Sequence, residues 1–254
     1  MRQEDTNHRG LSRTILRSIL RKTLKTPATR EVFRATTRTP LLPASAKHRL
    51  KRAARNTIIE HPGLAKGFRT GRALILYHTT TGNTEKVARA IEKAVRETGM
   101  EPTTRKITRA QKEDLYDYDL VCLGTPVIHS LPTAPINRYI QKKGEEYRRR
   151  KEVRLPAHQV PGKEAIVFVT YSGPHIGVGE ALPAGKYLRQ FLEHLGFKVL
   201  DEQYVVGEFH TWRKASVNGY LGDIRGRPSQ EDLAQVEQRT KKTLQHQAKT
   251  DCPG

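Results

Sequence analysis

Ile75-Leu76-Tyr77-His78-Thr79-Thr80-Thr81-Gly82-Asn83-Thr84-Glu85-Lys86-Val87-Ala88-Arg89-Ala90-Ile91 decides the fold. The stretch passes from an apolar run, through hydroxyls and a glycine, into an amphipathic helical pattern. Ala73 to Tyr77 is almost wholly apolar, as a parallel strand buried on both faces must be. From Thr84 to Thr98 the apolar residues Val87, Ala88, Ile91, Ala94 and Val95 share one helical face, with charges opposite. Between them, Thr79, Thr80, Thr81 and Thr84 bracket Gly82 at a predicted helix N-terminus. Such a terminus carries unpaired N–H groups and the positive end of the helix dipole, which favour an anion. Gly82 lets the backbone approach closely. The loop has no Lys or Arg, and neither G-x-x-x-x-G-K-[ST] nor G-x-G-x-x-G is present there. The structural alternative is a polar cap with no ligand, for which one Ser or Thr suffices.

Outward from this stretch the same alternation continues. Gly99 closes the first helix, Pro102 to Ile107 reads as a weaker strand, and Asp119 to Gly124 as a second buried strand. A helix is predicted over Ala134 to Lys142, a buried strand over Ala165 to Tyr171, and an amphipathic helix over Ala181 to Leu195, closed by Gly196. Phe197 to Val206 is the last strand and Ser229 to Gln247 the last helix, opening on an S-x-x-D pair, Ser229 and Asp232. Strand and helix thus alternate five times. The expected fold is α/β, a five-stranded parallel doubly wound sheet of order 2-1-3-4-5. Ligands of such sheets sit outside the carboxyl ends of the strands, at the switch point between strands one and three. That directs attention to the loops after Tyr77, Gly124 and Tyr171. Gln141 to Lys163, with Arg148-Arg149-Arg150-Lys151, reads as a surface excursion, and Gly207 to Pro228, which holds the sole tryptophan, Trp212, separates the last strand from the last helix.

Thr79, Gly82, Thr84, Ala88 and Ile91, behind an apolar-apolar-aromatic start, resemble the flavodoxin signature, and the resemblance runs from residue 72 to 248. It implies a flavodoxin-like domain that binds FMN and transfers electrons, with the phosphate held by Thr79, Thr80, Thr81, Gly82, Asn83 and Thr84. It also implies that the loop after strand three, through Thr125, Pro126, Val127, Ile128 and His129, covers one face of the flavin. Tyr171, Ser172, Gly173 and His175 of the loop after strand four then reach the ring. Two departures stand out. The 125–131 loop has no Trp or Tyr, and Pro126 to Pro132 contains no glycine to turn a peptide toward the reduced ring. Both bear on how the flavin would be tuned. A second reading of the resemblance is an FMN-dependent NAD(P)H:quinone-type or protoporphyrinogen-type oxidoreductase. A third, of another class, is a flavin-free interaction domain on a basic arm.

Charge is unevenly placed. Residues 1–72 carry 18 Lys+Arg against 4 Asp+Glu, whereas the rest of the chain carries 28 against 22, so +14 of the net +20 belongs to the first part. Residues 1–70 are therefore an extension, 71–248 the FMN-binding domain and 249–254 a tail. Within the extension, Leu11, Ile15, Leu16, Ile19 and Leu20 line one helical face, and Arg13, Arg17 and Arg21 another. This basic amphipathic pattern over residues 11–25 suits an anionic membrane surface and resembles an organelle transit peptide. Nucleic acid is the weaker partner, since the stretch has few aromatics and no known module. Otherwise the partner is a redox protein or a small-molecule acceptor. Only two cysteines, Cys122 and Cys252, are present, which excludes a disulfide framework or a zinc site and suits a cytoplasmic location. No catalytic acid or base, and no metal ligand, is assigned.

Overall fold

The computed structural model describes residues 71–110 and 112–250; the basic stretch 11–25 and the rest of residues 1–70 lie outside them. Five strands form one parallel sheet: β1 (Arg72–Tyr77), β2 (Glu101–Lys106), β3 (Leu120–Ile128), β5 (Glu164–Tyr171) and β6 (Lys198–Val206), in the order β2-β1-β3-β5-β6. This is the doubly wound order expected from the alternation. A short sixth strand, β4 (Leu131–Pro132), pairs antiparallel with the end of β3 and was not foreseen. The helices are α1 (Asn83–Glu97), α2 (Ala134–Arg149), α3 (Leu182–His194), α4 (Arg213–Asn218) and α5 (Gln230–Thr250).

Period-two alternation along the strands divides the core in two. Leu74, Leu76, Val121, Leu123, Val167 and Val169 face one way and pack with α2 and α3 through Ile136, Ile140, Leu188 and Leu192. Ala73, Ile75, Leu120, Cys122, Ile166 and Phe168 face the other way, against Val87, Ile91 and Val95 of α1 and Val236 and Leu244 of α5. Cys122 is wholly buried, and burial pushes its thiol well above the ordinary range, so it behaves as a small core residue.

Three expectations need correction. Strand and helix do not alternate throughout: between β2 and β3, two 3₁₀ turns, Ile107–Arg109 and Leu115–Asp117, stand in place of an α-helix among the described residues. Second, α2 runs to Arg149 rather than stopping at Lys142. Lys143 and Tyr147 continue the buried face begun by Ile136 and Ile140, and the Tyr147 hydroxyl accepts from Leu115 N–H at 2.8 Å and donates to Asp114 at 3.1 Å. Arg148 and Arg149 then end the helix where cations complement its dipole, so the basic run is a helix terminus and not simply an excursion. Third, β3 does not end at Gly124. It continues through Thr125, Pro126, Val127 and Ile128, and turns at His129-Ser130 into β4. Both turn residues have positive φ, 49° and 61°, as a two-residue hairpin tip demands.

Candidate functional site

The carboxyl ends of β1, β3 and β5 meet at the switch point, where β2 lies to one side of β1 and β3 to the other. The turn after β1 is built by its own backbone. His78 N–H donates to Gly124 O at 3.1 Å, extending the β1–β3 ladder by one residue. Thr79 Oγ1 accepts from Gly82 N–H at 3.0 Å, which folds the turn and leaves the Thr79 hydroxyl proton to donate elsewhere. Gly82 is left-handed, with φ 95°, and the space where a Cβ would project is open.

The first turn of α1 has no side-chain cap, although four threonines surround it. Lys86 N–H bonds back to Gly82 O at 3.0 Å; the N–H groups ahead of it are those helix geometry leaves unpaired. The starts of α2, α3 and α4 likewise lack a side-chain cap, whereas α5 begins with a reciprocal one, Ser229 N–H to Asp232 Oδ2 at 2.8 Å and Asp232 N–H to Ser229 Oγ at 3.2 Å. Thr80 and Thr81 are exposed, whereas Asn83 and Thr84 are buried. Thr84 and Thr170 share a buried hydroxyl–hydroxyl bond of 2.7 Å, which pins α1 to β5. His78 adds a group that the sequence reading did not single out. Its Nδ1 is buried without a hydrogen-bond partner. Burial, then the nearby cations Arg138 and Lys106, pushes its pKa below the ordinary imidazole range. The signal for it was its place between a buried strand and the hydroxyl turn.

Loop two is the β3–β4 hairpin. The Thr125 hydroxyl is fully buried, donates to Pro126 O at 2.9 Å and accepts from Thr133 N–H at 3.2 Å, so it fastens the hairpin to the start of α2. Ile128 and His129 are exposed at the tip. Loop three follows β5. Gly173 is left-handed, φ 51°, and a Cβ there would lie 2.5 Å from Gly177 O, so the turn requires glycine. Glu180 accepts from the N–H groups of His175 at 2.7 Å and Ile176 at 2.9 Å. Two of the loop's donors are thus taken internally.

Eight large apolar side chains are exposed among the described residues, five of them on the hairpin, on loop three or at the start of α3. Ile128 and Leu131 are on the hairpin; Ile176, Val178 and Leu182 are on loop three and the start of α3; Trp212 and Tyr220 are on the segment after β6. An uncapped helix terminus with hydroxyls, an orphaned buried imidazole nitrogen and an apolar rim fit a ligand with one phosphate and one flat apolar ring system.

The fold and this site define a flavodoxin-like flavoprotein domain. The sequence profile of flavodoxins matches residues 75–238, and the chain belongs to the flavodoxin family, whose cofactor is FMN. An NAD(P)H dehydrogenase (quinone) of Archaeoglobus fulgidus is 24% identical over 131 residues, 42% of this chain; the match spans 64% of that relative's length. Among solved structures, a flavodoxin from the domain Archaea aligns with a TM-score of 0.46 at 13% identity, over 70% of this chain and 99% of its own. A WrbA-like flavodoxin from Agrobacterium tumefaciens aligns with a TM-score of 0.46 at 15% identity, over 72% and 99%.

Proposed function

We propose that the chain holds FMN noncovalently, with the phosphate against Thr79 to Thr84 and the ring between the β3–β4 hairpin and loop three, and passes electrons through it. The observation that carries this reading is the α1 terminus, where Thr79 folds the turn, Gly82 is left-handed with open space beside it, and Thr80 and Thr81 stand exposed near the first N–H groups of the helix. Bound FMN supplies reversible reduction; the protein binds, orients and shields it. Thr80, Thr81 and the first N–H groups of α1 would take the phosphate oxygens. His78 Nδ1 would hold or accept a proton at the switch point. Thr125, Pro126, Val127, Ile128 and His129 would wall one face of the ring, and Tyr171, Ser172, Gly173 and His175 would line loop three. Purified protein that retains stoichiometric yellow colour and prefers FMN to riboflavin supports the reading; colourless protein that takes up neither overturns it.

The exposed apolar rim favours a second reading within the same site, reduction by NAD(P)H with a quinone as acceptor, as the name of the Archaeoglobus relative suggests. Mixing the oxidised protein with NADH or NADPH in a stopped-flow instrument decides between an enzyme and a carrier: bleaching within seconds means an enzyme.

Residues 1–70 we read as an extension that carries residues 11–25 to an anionic membrane surface, beside a cytoplasmic domain. Among the described residues no helix is long and apolar enough to cross a membrane. Removing residues 1–65 should leave a chain that still binds FMN but has lost most of its salt-sensitive vesicle binding.

A further inference from the structure

The segment Gly207 to Pro228, between β6 and α5, is tied to both cofactor loops. Gly207 N–H donates to Tyr171 O at 2.8 Å, and Ser172 Oγ donates to Gly207 O at 2.8 Å. Asn83 Nδ2, in the first turn of α1, donates to Glu208 O at 3.1 Å, and His210 Nε2 lies 3.5 Å from Asn83 Oδ1. Further along, Tyr220 N–H donates to Pro174 O at 2.8 Å. The approach is close: a Cβ on Gly207 would stand 2.9 Å from Asn83 Nδ2, and one on Gly219 would stand 3.1 Å from Pro174 Cα. One segment therefore spans from the predicted phosphate end of the site to the predicted ring end.

Its most prominent side chain is Trp212, 46% exposed. The indole packs on Phe209 at 5.9 Å and against the imidazole of His175, in loop three, at 6.4 Å between ring centroids. A tryptophan left half in solvent at the rim of a ligand site, braced by two other rings, is a flat apolar surface held in place. The β3–β4 hairpin offers no Trp or Tyr between residues 125 and 131. We infer that the 207–228 segment is a wall of the FMN site, and that Trp212, braced by His175 and Phe209, is the aromatic side chain on which the flavin ring packs. The inference rests on the FMN reading above and adds to it the residue that grips the ring.

The test separates ring from phosphate. Full-length wild-type, Trp212→Leu and Trp212→Phe proteins are stripped of flavin and titrated with FMN and with riboflavin. Both affinities and the emission of the bound flavin are recorded. Losing a stacked aromatic should weaken both ligands by about tenfold in Trp212→Leu, and flavin emission should rise because indole in contact with flavin quenches it. Trp212→Phe keeps a ring, guards against a folding defect, and should hold both ligands within about threefold of wild type. Wild-type riboflavin affinity in Trp212→Leu overturns the inference while leaving the FMN reading intact. A wild-type protein that binds neither ligand overturns both.

Discussion

The hydroxyls of Thr84 and Thr170 meet at 2.7 Å across 86 residues of sequence, in a site closed to solvent. The bond joins the first turn of α1 to the end of β5, so the hydroxyl turn after β1 and loop three share an anchor. Replacing Thr84 by Val orphans Thr170, and a buried unsatisfied hydroxyl costs roughly 1–3 kcal/mol. Urea denaturation of the flavin-free protein should show that loss for Thr84→Val. Thr81 is exposed and has no such duty. Thr81→Ala should keep the midpoint of wild type yet lose about tenfold or more in affinity for FMN, the worth of one bond to a charged group, with riboflavin unaffected. Equal losses for both ligands would remove Thr81 from the phosphate site.

Ser130 sits at the hairpin tip with φ 61°. A left-handed L-residue costs about 1–2 kcal/mol, partly offset by the extra freedom that glycine has in the unfolded chain. Ser130→Gly should therefore stabilise the protein by about 0.5–1 kcal/mol in urea, and an unchanged or lower midpoint would show that the tip relaxes in solution.

The same hairpin bears on redox behaviour. No glycine lies between Pro126 and Pro132, and residues 73–254 carry 28 Lys+Arg against 22 Asp+Glu. A basic surround opposes the anionic, fully reduced flavin less than an acidic one does, by Coulomb terms that are modest near solvent. The two one-electron potentials should lie close together, so that anaerobic dithionite titration bleaches the flavin in one apparent step. Two well-separated spectral phases would contradict this.

A Cβ at Gly124 would fall 2.1 Å from the ring of Phe168. Both residues are in strand interiors, and the ring is fully buried. Gly124→Ala should cost about 1–3 kcal/mol through overpacking. Because Gly124 O also receives the His78 N–H, the variant should lose FMN affinity as well; calorimetry and flavin titration on the same preparation check both.

Glu202 on β6 is pushed up by burial but held down more strongly by hydrogen bonds from Lys186, Tyr204 and Arg189, and its pKa falls to about 2. A carboxyl depressed in the folded state stabilises it above the unfolded pKa, and that contribution is lost as pH falls toward 2. Discounted for the exposed cations around it, the contribution is about 1–2 kcal/mol at neutral pH. Glu202→Gln should show that deficit at pH 7 in urea and converge with wild type near pH 2. A constant difference at both pH values would place the effect in packing instead.

The elements of the sheet and the hydroxyl turn were legible in the chain, because they are written in local pattern: Ala73 to Tyr77, the helical face from Val87 to Val95, and Gly82 between them; the strand order followed from the doubly wound topology that such alternation favours. What was not legible depends on tertiary partners. Tyr147 lies among charges and reads as surface, yet it is buried by contact with residues of the β2-to-β3 crossover. The His129-Ser130 tip lacks the Asn-Gly signal that marks such turns, so β3 was cut short at Gly124. Trp212 was noticed only as a solitary tryptophan, since its neighbour His175 is distant in sequence.

The last helix lies on the first. Val236 and Leu244 of α5 complete the layer begun by Val87, Ile91 and Val95 of α1, and Lys93–Glu237 and Lys241–Glu97 ion pairs border it. During synthesis β1 and α1 emerge at the start of the domain and α5 at its end, so the part of the α1 face that meets α5, unlike the part that packs on the sheet, stays uncovered until nearly the whole domain has left the ribosome. Nascent chains stalled before about residue 230 should therefore present a helix face attractive to chaperones, and release of the final helix is the event that hides it.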